Sequence, residues 1–419
     1  MVLGSYDVVI VGGGASGLMT AVSLRELNKQ CSIAIIEKNE KIGKKLYISG
    51  KGRCNVTNSC DIETIVKNTI HNGKFLYNSL SKFQPLDVVN FFENNGCELC
   101  VERGNRVFPK SNKSSDIINV FKKYIEKNSI DLYLNKIADS IKKTDGLFYI
   151  NTNNDFFVAK NLVIATGGKS YPLTGSTGDG YKFAKSFGLN IVELKPALCG
   201  FVVNDIDDLV GLTLKNINMK VKIDGKVLYN EFGDIIFYKN LISGPLALKA
   251  SSLLNTYSNF MICVDLKPKV EYKEFKTRFY GLINKYFDKT VFEFLLNFVP
   301  VKMSNYMCKI ECISKDCNVK DLKKEKISKL FELMNNIEFH SKNLDKIENG
   351  IVTAGGVDVK EINPTTMESK TNNNLYFVGE ILDLDAFTGG FNMQIAFSTG
   401  YNCGYNLAKK LNCEDNNNV

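Results

Sequence analysis

Residues 6–28 read YDVVIVGGGASGLMTAVSLRELN, and their order of strand, tight turn and helix decides the fold. The run 8–11 is continuous and β-branched, as in a strand buried on both faces. Gly12, Gly14 and Gly17 match G-x-G-x-x-G. Gly12 permits the tight turn, Gly14 lets backbone approach a pyrophosphate, and Gly17 lets helix and strand pack closely. Ala15 closes the turn, and the helix opening at about Ser16 aims unpaired N–H groups and a favourable dipole at phosphate. A second strand, CSIAIIEK at 31–38, completes a βαβ unit whose crossover is expected to be right-handed. It ends on Glu37, 20 residues past Gly17, where a carboxylate can accept ribose hydroxyls, with Lys38 beside it. These features specify a dinucleotide site without separating FAD from NAD.

Three more segments point to FAD. EKIGKKLYISGKGRCNVTN at 40–58 is polar and glycine-permissive, so Ser49, Gly50, Gly52, Arg53, Cys54 and Asn55 can lie against a flat ring. Lys45 and Arg53 can offset phosphate charge. VIATGG at 163–168 carries a buried strand into Ala165, Thr166 and Gly167, where backbone meets a cofactor. LYFVGEILDLDAFTGGFNMQIAFSTG at 375–400 ends a strand at Gly379 and Glu380. Gly389 and Gly390 then open a helix with Asn392, Met393 and Gln394 in its first turn. A helix N-terminus directed at a flavin ring stabilises negative charge on the reduced ring.

At 419 residues the chain is long enough for two or three domains. Apolar content of 44% and charged content of 23% place it among ordinary globular proteins. It lacks an apolar run long enough to cross a membrane, and its first apolar run lacks the marks of a signal peptide. The expected compartment is therefore the cytoplasm, and the 12 cysteines are read as reduced thiols. Neither Cys97 with Cys100 nor the group Cys308, Cys312 and Cys317 has the partners that complete a zinc site, so no metal is expected. The only histidines are His71 and His340, which nearly excludes histidine-based triads.

Glycine-rich buried-strand character returns at GIVTAGGV, 350–357, and a closing helix is expected over about 392–411 with an irregular tail at 412–419. The dinucleotide domain thus occupies 1–194 and 347–419. Within it, DLYLN, LFYIN and DFFVA predict a small antiparallel layer, and Ser114 is the expected N-cap of an amphipathic helix. Between the two segments lie a β-rich domain, 195–265, and a basic helical domain, 266–346. KVKIDGKVLYN at 220–230 predicts a hairpin. The basic domain carries 17 Lys+Arg against 11 Asp+Glu, so +6 of the net +8 lies there. Charge so concentrated suits a polyanionic partner. Tyr272, Phe275, Phe279, Tyr280, Tyr286 and Phe287 interleave with lysines and could stack on bases, although aromatics at helical spacing are more often core.

Together KIGKKLYISGKGRCNVTN, RVFPKSNKSSDI, IATGGKSYPLTGSTGDGYKFAKSFG and VTAGGVDVKEINPTTMESK with the 375–400 segment resemble one bacterial flavoprotein family, called HI0933-like, BaiN-like or aminoacetone-oxidase-like. The resemblance spans about 6–411. It implies an α/β architecture: a glutathione-reductase-like FAD-binding Rossmann domain with an inserted β-barrel-like domain and a helical domain. It implies FAD held by 12–17, Glu37, the 45–55 loop, the 165–168 turn, Gly379, Glu380 and 389–394, with a backbone contact near Ala138. Tyr238 and Lys239 stand where the family usually has a Thr-His pair, and Ala386 stands where it usually has Gly.

Activities attributed to the family differ: some members reduce conjugated C=C bonds in steroid enones or ribosomal RNA uracil, and others oxidise small amines. The expected activity is reduction of a uracil in 23S ribosomal RNA to dihydrouridine, with the RNA held by 266–346 and no membrane or protein partner indicated. NAD(P)H is the expected transient reductant, because there is no second G-x-G-x-x-G. A small-molecule flavoenzyme, either enone reductase or amine oxidase, and a non-catalytic FAD-binding module stay open as alternatives. Cys54 in the flavin loop is the candidate general acid. That role predicts a Cys54→Ala protein that stays yellow with FAD and loses turnover; unchanged turnover removes the thiol from the chemistry.

Overall fold

The apolar run after Tyr6 is the inner half of strand β1 (Val2–Val11) in a computed structural model that describes residues 2–153, 155–314 and 316–417. β1 pairs in parallel with β2 (Ile33–Ile36) on one side and β3 (Phe156–Ile164) on the other. Val8, Val9 and Ile10 have no exposed surface, as a parallel strand covered on both faces requires. Helix α1 (Ala15–Leu27) connects β1 to β2. β3 serves two neighbours along one edge. Its first half takes the antiparallel strand Leu147–Thr152, which continues into Ala138–Thr144. Its last three residues pair in parallel with β4 (Leu375–Phe377). A chain segment some 200 positions later in sequence thus completes the same sheet.

The DLYLN segment departs from expectation. Asp131–Tyr133 joins the parallel side, beyond β2, instead of an antiparallel layer. The Tyr6 hydroxyl lies 2.7 Å from both Asp131 Oδ2 and the Tyr133 hydroxyl and ties that edge to β1. Ser114 is also not an N-cap. The helix Ser114–Lys127 begins at it, and its hydroxyl donates to the carbonyl of Tyr47 at 2.8 Å.

Helix α2 spans Lys44–Gly52, and the closing helix α3 (Phe391–Asn417) packs along α1. A Cβ on Gly400 would overlap the carbonyl oxygen of Ser16, and one on Gly404 that of Thr20. The tail expected to be irregular is helical through Asn417, while 418–419 lie outside the described residues.

The chain divides into two compact units, Met1–Ala197 with Ile347–Val419, and Leu198–Lys346. The second contains a closed barrel of strands in the order Phe201–Val203, Leu241–Ser243, Lys226–Tyr238, Thr213–Ile223, Phe260–Asp265 and Ile337–Leu344. Asp224 and Gly225 make its two-residue hairpin turn with φ of 49° and 77°, the left-handed pair that a type I′ turn needs. The boundary expected at 265/266 runs through the core of this unit. The last barrel strand follows the helices, and barrel residues Phe237 and Phe260 share one buried cluster with helical residues Phe279 and Phe331. Of the six aromatics considered for base stacking, Phe275 and Phe279 are buried, Tyr280 and Tyr286 pack against that core, and Tyr272 and Phe287 are exposed.

The glycine contacts of α3 predict that Gly404→Val lowers stability by about 1–3 kcal/mol, because the new side chain must push the helices apart. A lower midpoint in urea unfolding followed by circular dichroism is the expected result; an unchanged midpoint would show that the two helices separate without penalty.

Candidate active site

The turn between β1 and α1 is shaped by missing side chains. Gly12 has a φ of 117°, and a Cβ there would overlap the carbonyl of Ala165; one on Gly17 would overlap the carbonyl of Gly12. At Gly14 a Cβ would meet nothing within 4 Å. No side chain among the described residues caps α1, so its first N–H groups have no side-chain acceptor there. The Ser16 hydroxyl turns away and donates to the carbonyl of Val378 at 3.3 Å. A bound pyrophosphate can therefore approach backbone alone.

Glu37 stands at the next strand end and is 7% exposed. Its Oε2 accepts the Gly13 N–H at 2.8 Å, and its Oε1 accepts the Asn39 backbone N–H at 2.8 Å. The Asn39 side-chain amide also donates to Oε1 at 2.6 Å, so the carboxylate is held beside the turn with a lone pair of Oε2 left for a ribose hydroxyl. The N–H of Lys136 donates to the carbonyl of Glu37 at 3.0 Å, which brings the half-buried Ala138 to the same end of the sheet. Lys38 is committed elsewhere: its ammonium pairs with Asp179 at 2.5 Å.

The loop 49–55 leaves helical geometry within α2. Gly50, Lys51 and Gly52 have φ of 57°, 59° and 82°, and Cys54 has 60°. The two cations expected to offset phosphate are neutralised inside the protein. Lys45 pairs with Glu380 at 2.6 Å and donates to Ser170 Oγ at 2.7 Å. Arg53 bonds Glu102 and lies over the Phe108 ring, 4.0 Å from its centroid. The uncapped start of α1 is left to meet phosphate charge. Cys54 does not suit the acid role expected of it. The side chain is wholly buried in the core, and that burial pushes its thiol up to about 12. A proton donor must touch its substrate, and this thiol faces packed protein.

At the third corner, Gly389 and Gly390 have φ of 132° and 99° and lead into α3. A Cβ on Gly390 would overlap Thr57 O, so this corner sits directly on the flavin loop. Asn392 accepts the Ala386 N–H at 2.9 Å and donates back to its carbonyl at 2.7 Å. Gln394 is fully buried and donates to Phe83 O at 2.9 Å. Both side chains hold the corner itself, and Met393 is half-buried against the core. Ala386, where glycine was the expected residue, is fully buried and held by Asn392. Tyr238 and Lys239 are exposed at a strand end and turn of the barrel.

Five residues that the sequence did not assign to the site lie near these corners. His71 Nδ1 is 2.5 Å from Asp385 Oδ1, and Asn72 donates to Asp383 Oδ2 at 2.8 Å. Tyr181 is buried, with its hydroxyl unbonded among the described residues. The usable signals were the scarcity of histidine and the two acids flanking the glycine corner.

The cradle suits FAD. Asn55 Oδ1 at the loop and Thr166 Oγ1 at the turn before Gly167 are buried without partners among the described residues. Gly14 and Gly52 leave open space where a Cβ would stand. When bound, the cofactor supplies hydride chemistry, and these residues would hold it.

The family description "HI0933-like protein Rossmann domain" matches residues 6–406. The chain belongs to the HI0933-like family. It is 27% identical over 410 residues to a ribosomal RNA dihydrouridine synthase of Haemophilus influenzae, covering 96% of this chain and 98% of that protein. It is 26% identical over 408 residues to a 3-dehydro-bile acid delta(4,6)-reductase of Clostridium scindens, with the same coverage. Among solved structures, a 3-ketosteroid delta1-dehydrogenase from Sterolibacterium denitrificans superposes with a TM-score of 0.52 at 12% identity, over 97% of this chain and 100% of that one. That likeness shows the fold. As a member of the HI0933-like family, the protein is a FAD-dependent oxidoreductase with a Rossmann cofactor domain.

Two variants test the site. Cys54→Ala should keep its flavin and its turnover while losing about 1–2 kcal/mol of stability as a small core cavity; a stable, yellow but inactive protein would restore the thiol to the chemistry. Glu380→Gln strands the Lys45 ammonium and should weaken FAD binding about tenfold, roughly 1.4 kcal/mol, in a flavin fluorescence titration. Unchanged affinity would show that the ion pair does not shape the cradle.

Proposed function

We propose that the protein, working in the cytoplasm, uses NAD(P)H to reduce a C=C bond conjugated to a carbonyl. The substrate in this reading is a uracil of 23S ribosomal RNA, and the product is dihydrouridine. One observation carries the reaction class. Relatives matching 96% of the chain are named for dihydrouridine synthesis and for bile acid delta(4,6) reduction, and both names describe hydrogen added across such a bond. The shared cofactor cradle makes the bond type, and not the size of the molecule carrying it, the common element.

Charge favours the RNA. Residues 266–346 carry 17 Lys+Arg against 11 Asp+Glu. Tyr272 and Phe287, 53% and 49% exposed, lie among exposed Lys273, Lys276, Arg278, Lys285 and Lys289. Two aromatics amid such cations can stack on unpaired bases while the cations meet phosphates. A uracil in folded RNA must leave its stack to reach the flavin. With one G-x-G-x-x-G in the chain, the nicotinamide acts as a visiting reductant. The relative from Clostridium scindens supports a second reading, a reductase of small enones.

Mass spectrometry of 23S ribosomal RNA from cells lacking the gene decides between them. Loss of one dihydrouridine, restored by the intact gene, is expected. An unchanged modification profile, with NAD(P)H oxidised on addition of a 3-oxo-Δ4 steroid, would replace the RNA reading with the second.

A further inference from the structure

A reductase of conjugated C=C bonds needs a proton donor, and the thiol in the flavin loop is sealed in the core. Two electrons and two hydrogens must enter the bond. Hydride from the reduced cofactor goes to the carbon β to the carbonyl, and a proton must reach the α carbon. NAD(P)H then restores the reduced cofactor, leaving NAD(P)+. The donor has to be loaded with a proton near neutral pH, reachable from outside the core, and beside the corner that opens α3.

Segment 68–72 lies along that corner. Thr69 bridges to Ala386, Ile70 N–H donates to Asp385 O at 2.7 Å, and Phe387 N–H donates to Asn68 O at 3.0 Å. Asn72 Nδ2 donates to the carbonyl of Asp383 at 2.9 Å. This short ladder sets the His71 ring against Asp385, with Nδ1 at 2.5 Å from Oδ1. The Asp385 side chain is 1% exposed, and its Oδ2 has no partner among the described residues. The His71 side chain is 39% exposed, and Nε2 has no bond among the described residues. The same strip of chain, 383–387, runs through Asn392 into the glycine corner that rests on the flavin loop.

We propose that His71, oriented by Asp385, is the proton donor of this site, giving the Nε2 proton to the α carbon as hydride reaches the β carbon. The neutral imidazole left behind regains its proton from solvent. Asp385 is a positioning residue: it fixes the ring and stabilises the imidazolium. This role rests on the reductase reading above.

The neighbouring groups leave His71 as the candidate. Tyr181 is buried, and burial raises its phenol further from use as an acid. Asp383 is buried and held by Asn72, whose amide donates to both its carboxylate and its carbonyl. The hydrogen bond to Asp385 holds the His71 imidazole above its ordinary range, against burial, with Asp383 adding to the effect and Lys195 opposing it. A raised imidazole keeps its proton to higher pH than an ordinary histidine, and a reaction that needs its proton slows as pH rises through that raised value.

The test uses the full chain loaded with FAD. With only two histidines, His71 and His340, imidazole signals in ¹H–¹⁵N NMR separate cleanly, and His71→Gln assigns them. The His71 signal should titrate above the ordinary histidine value in the wild type and fall back in Asp385→Asn. In anaerobic stopped flow, His71→Gln should bind FAD and be reduced by NAD(P)H as the wild type is. Its reoxidation by 23S ribosomal RNA from cells lacking the gene, or by a 3-oxo-Δ4 steroid, should slow about 100-fold. Asp385→Asn should move the alkaline fall of that rate to lower pH. Wild-type reoxidation rates in His71→Gln, or an ordinary His71 titration in the wild type, overturn the donor assignment. A wild-type flavin that neither acceptor reoxidises overturns the reductase reading itself, and the donor role with it.

Discussion

The cofactor unit depends on how closely α1 can approach its neighbours. Its first turn lies against the carbonyl of Gly12, and its flank lies against α3 at Gly400 and Gly404, each contact closer than a Cβ allows. Gly379 at the end of β4 meets Ser16 in the same way: a Cβ there would stand 2.5 Å from the serine hydroxyl. Sheet, first helix and last helix therefore lock around one helix end. Because no side chain among the described residues caps that end, its N–H groups remain available, and close packing holds them in place for phosphate.

The same economy governs charge. The basic loop after β2 looks built to bind phosphate, yet its two key cations are matched by Glu380 and Glu102. A half-buried ammonium paired with a half-buried carboxylate is a structural clamp, and Lys45 with Glu380 ties α2 to the end of β4. Ser170 joins the clamp through Lys45, and Thr353 N–H donates to Glu380 at 3.0 Å. Four stretches of sequence meet there. Helix dipole and backbone N–H groups, not salt bridges, are left to hold the anionic part of the cofactor.

In the second unit, burial sorted residues that looked alike in sequence. Phe275 and Phe279 fill a core shared with the barrel, whereas Tyr272 and Phe287, on the same helical stretch, remain outside. Their spacing suits either role, and the barrel wall decides which face turns inward. The helical segment could not be recognised as part of a barrel unit, because Ile337–Leu344, which closes the barrel, pairs with Phe260–Asp265 across more than 70 intervening positions.

Local patterns were enough for the βαβ unit, the glycine turn, the place of Glu37 at a strand end and the hairpin at Asp224–Gly225. Each is written in contiguous residues whose backbone or periodic demands are strong: left-handed φ, close approach, or a strand buried on both faces. Tertiary structure alone decided which polar side chains are spent and which are free. It buried Cys54, paired Lys45 and Arg53, turned Gln394 into the corner, and set His71 beside Asp385 across 314 positions. Reactivity depends on partners and solvent, and both are set by contacts between residues far apart in the chain.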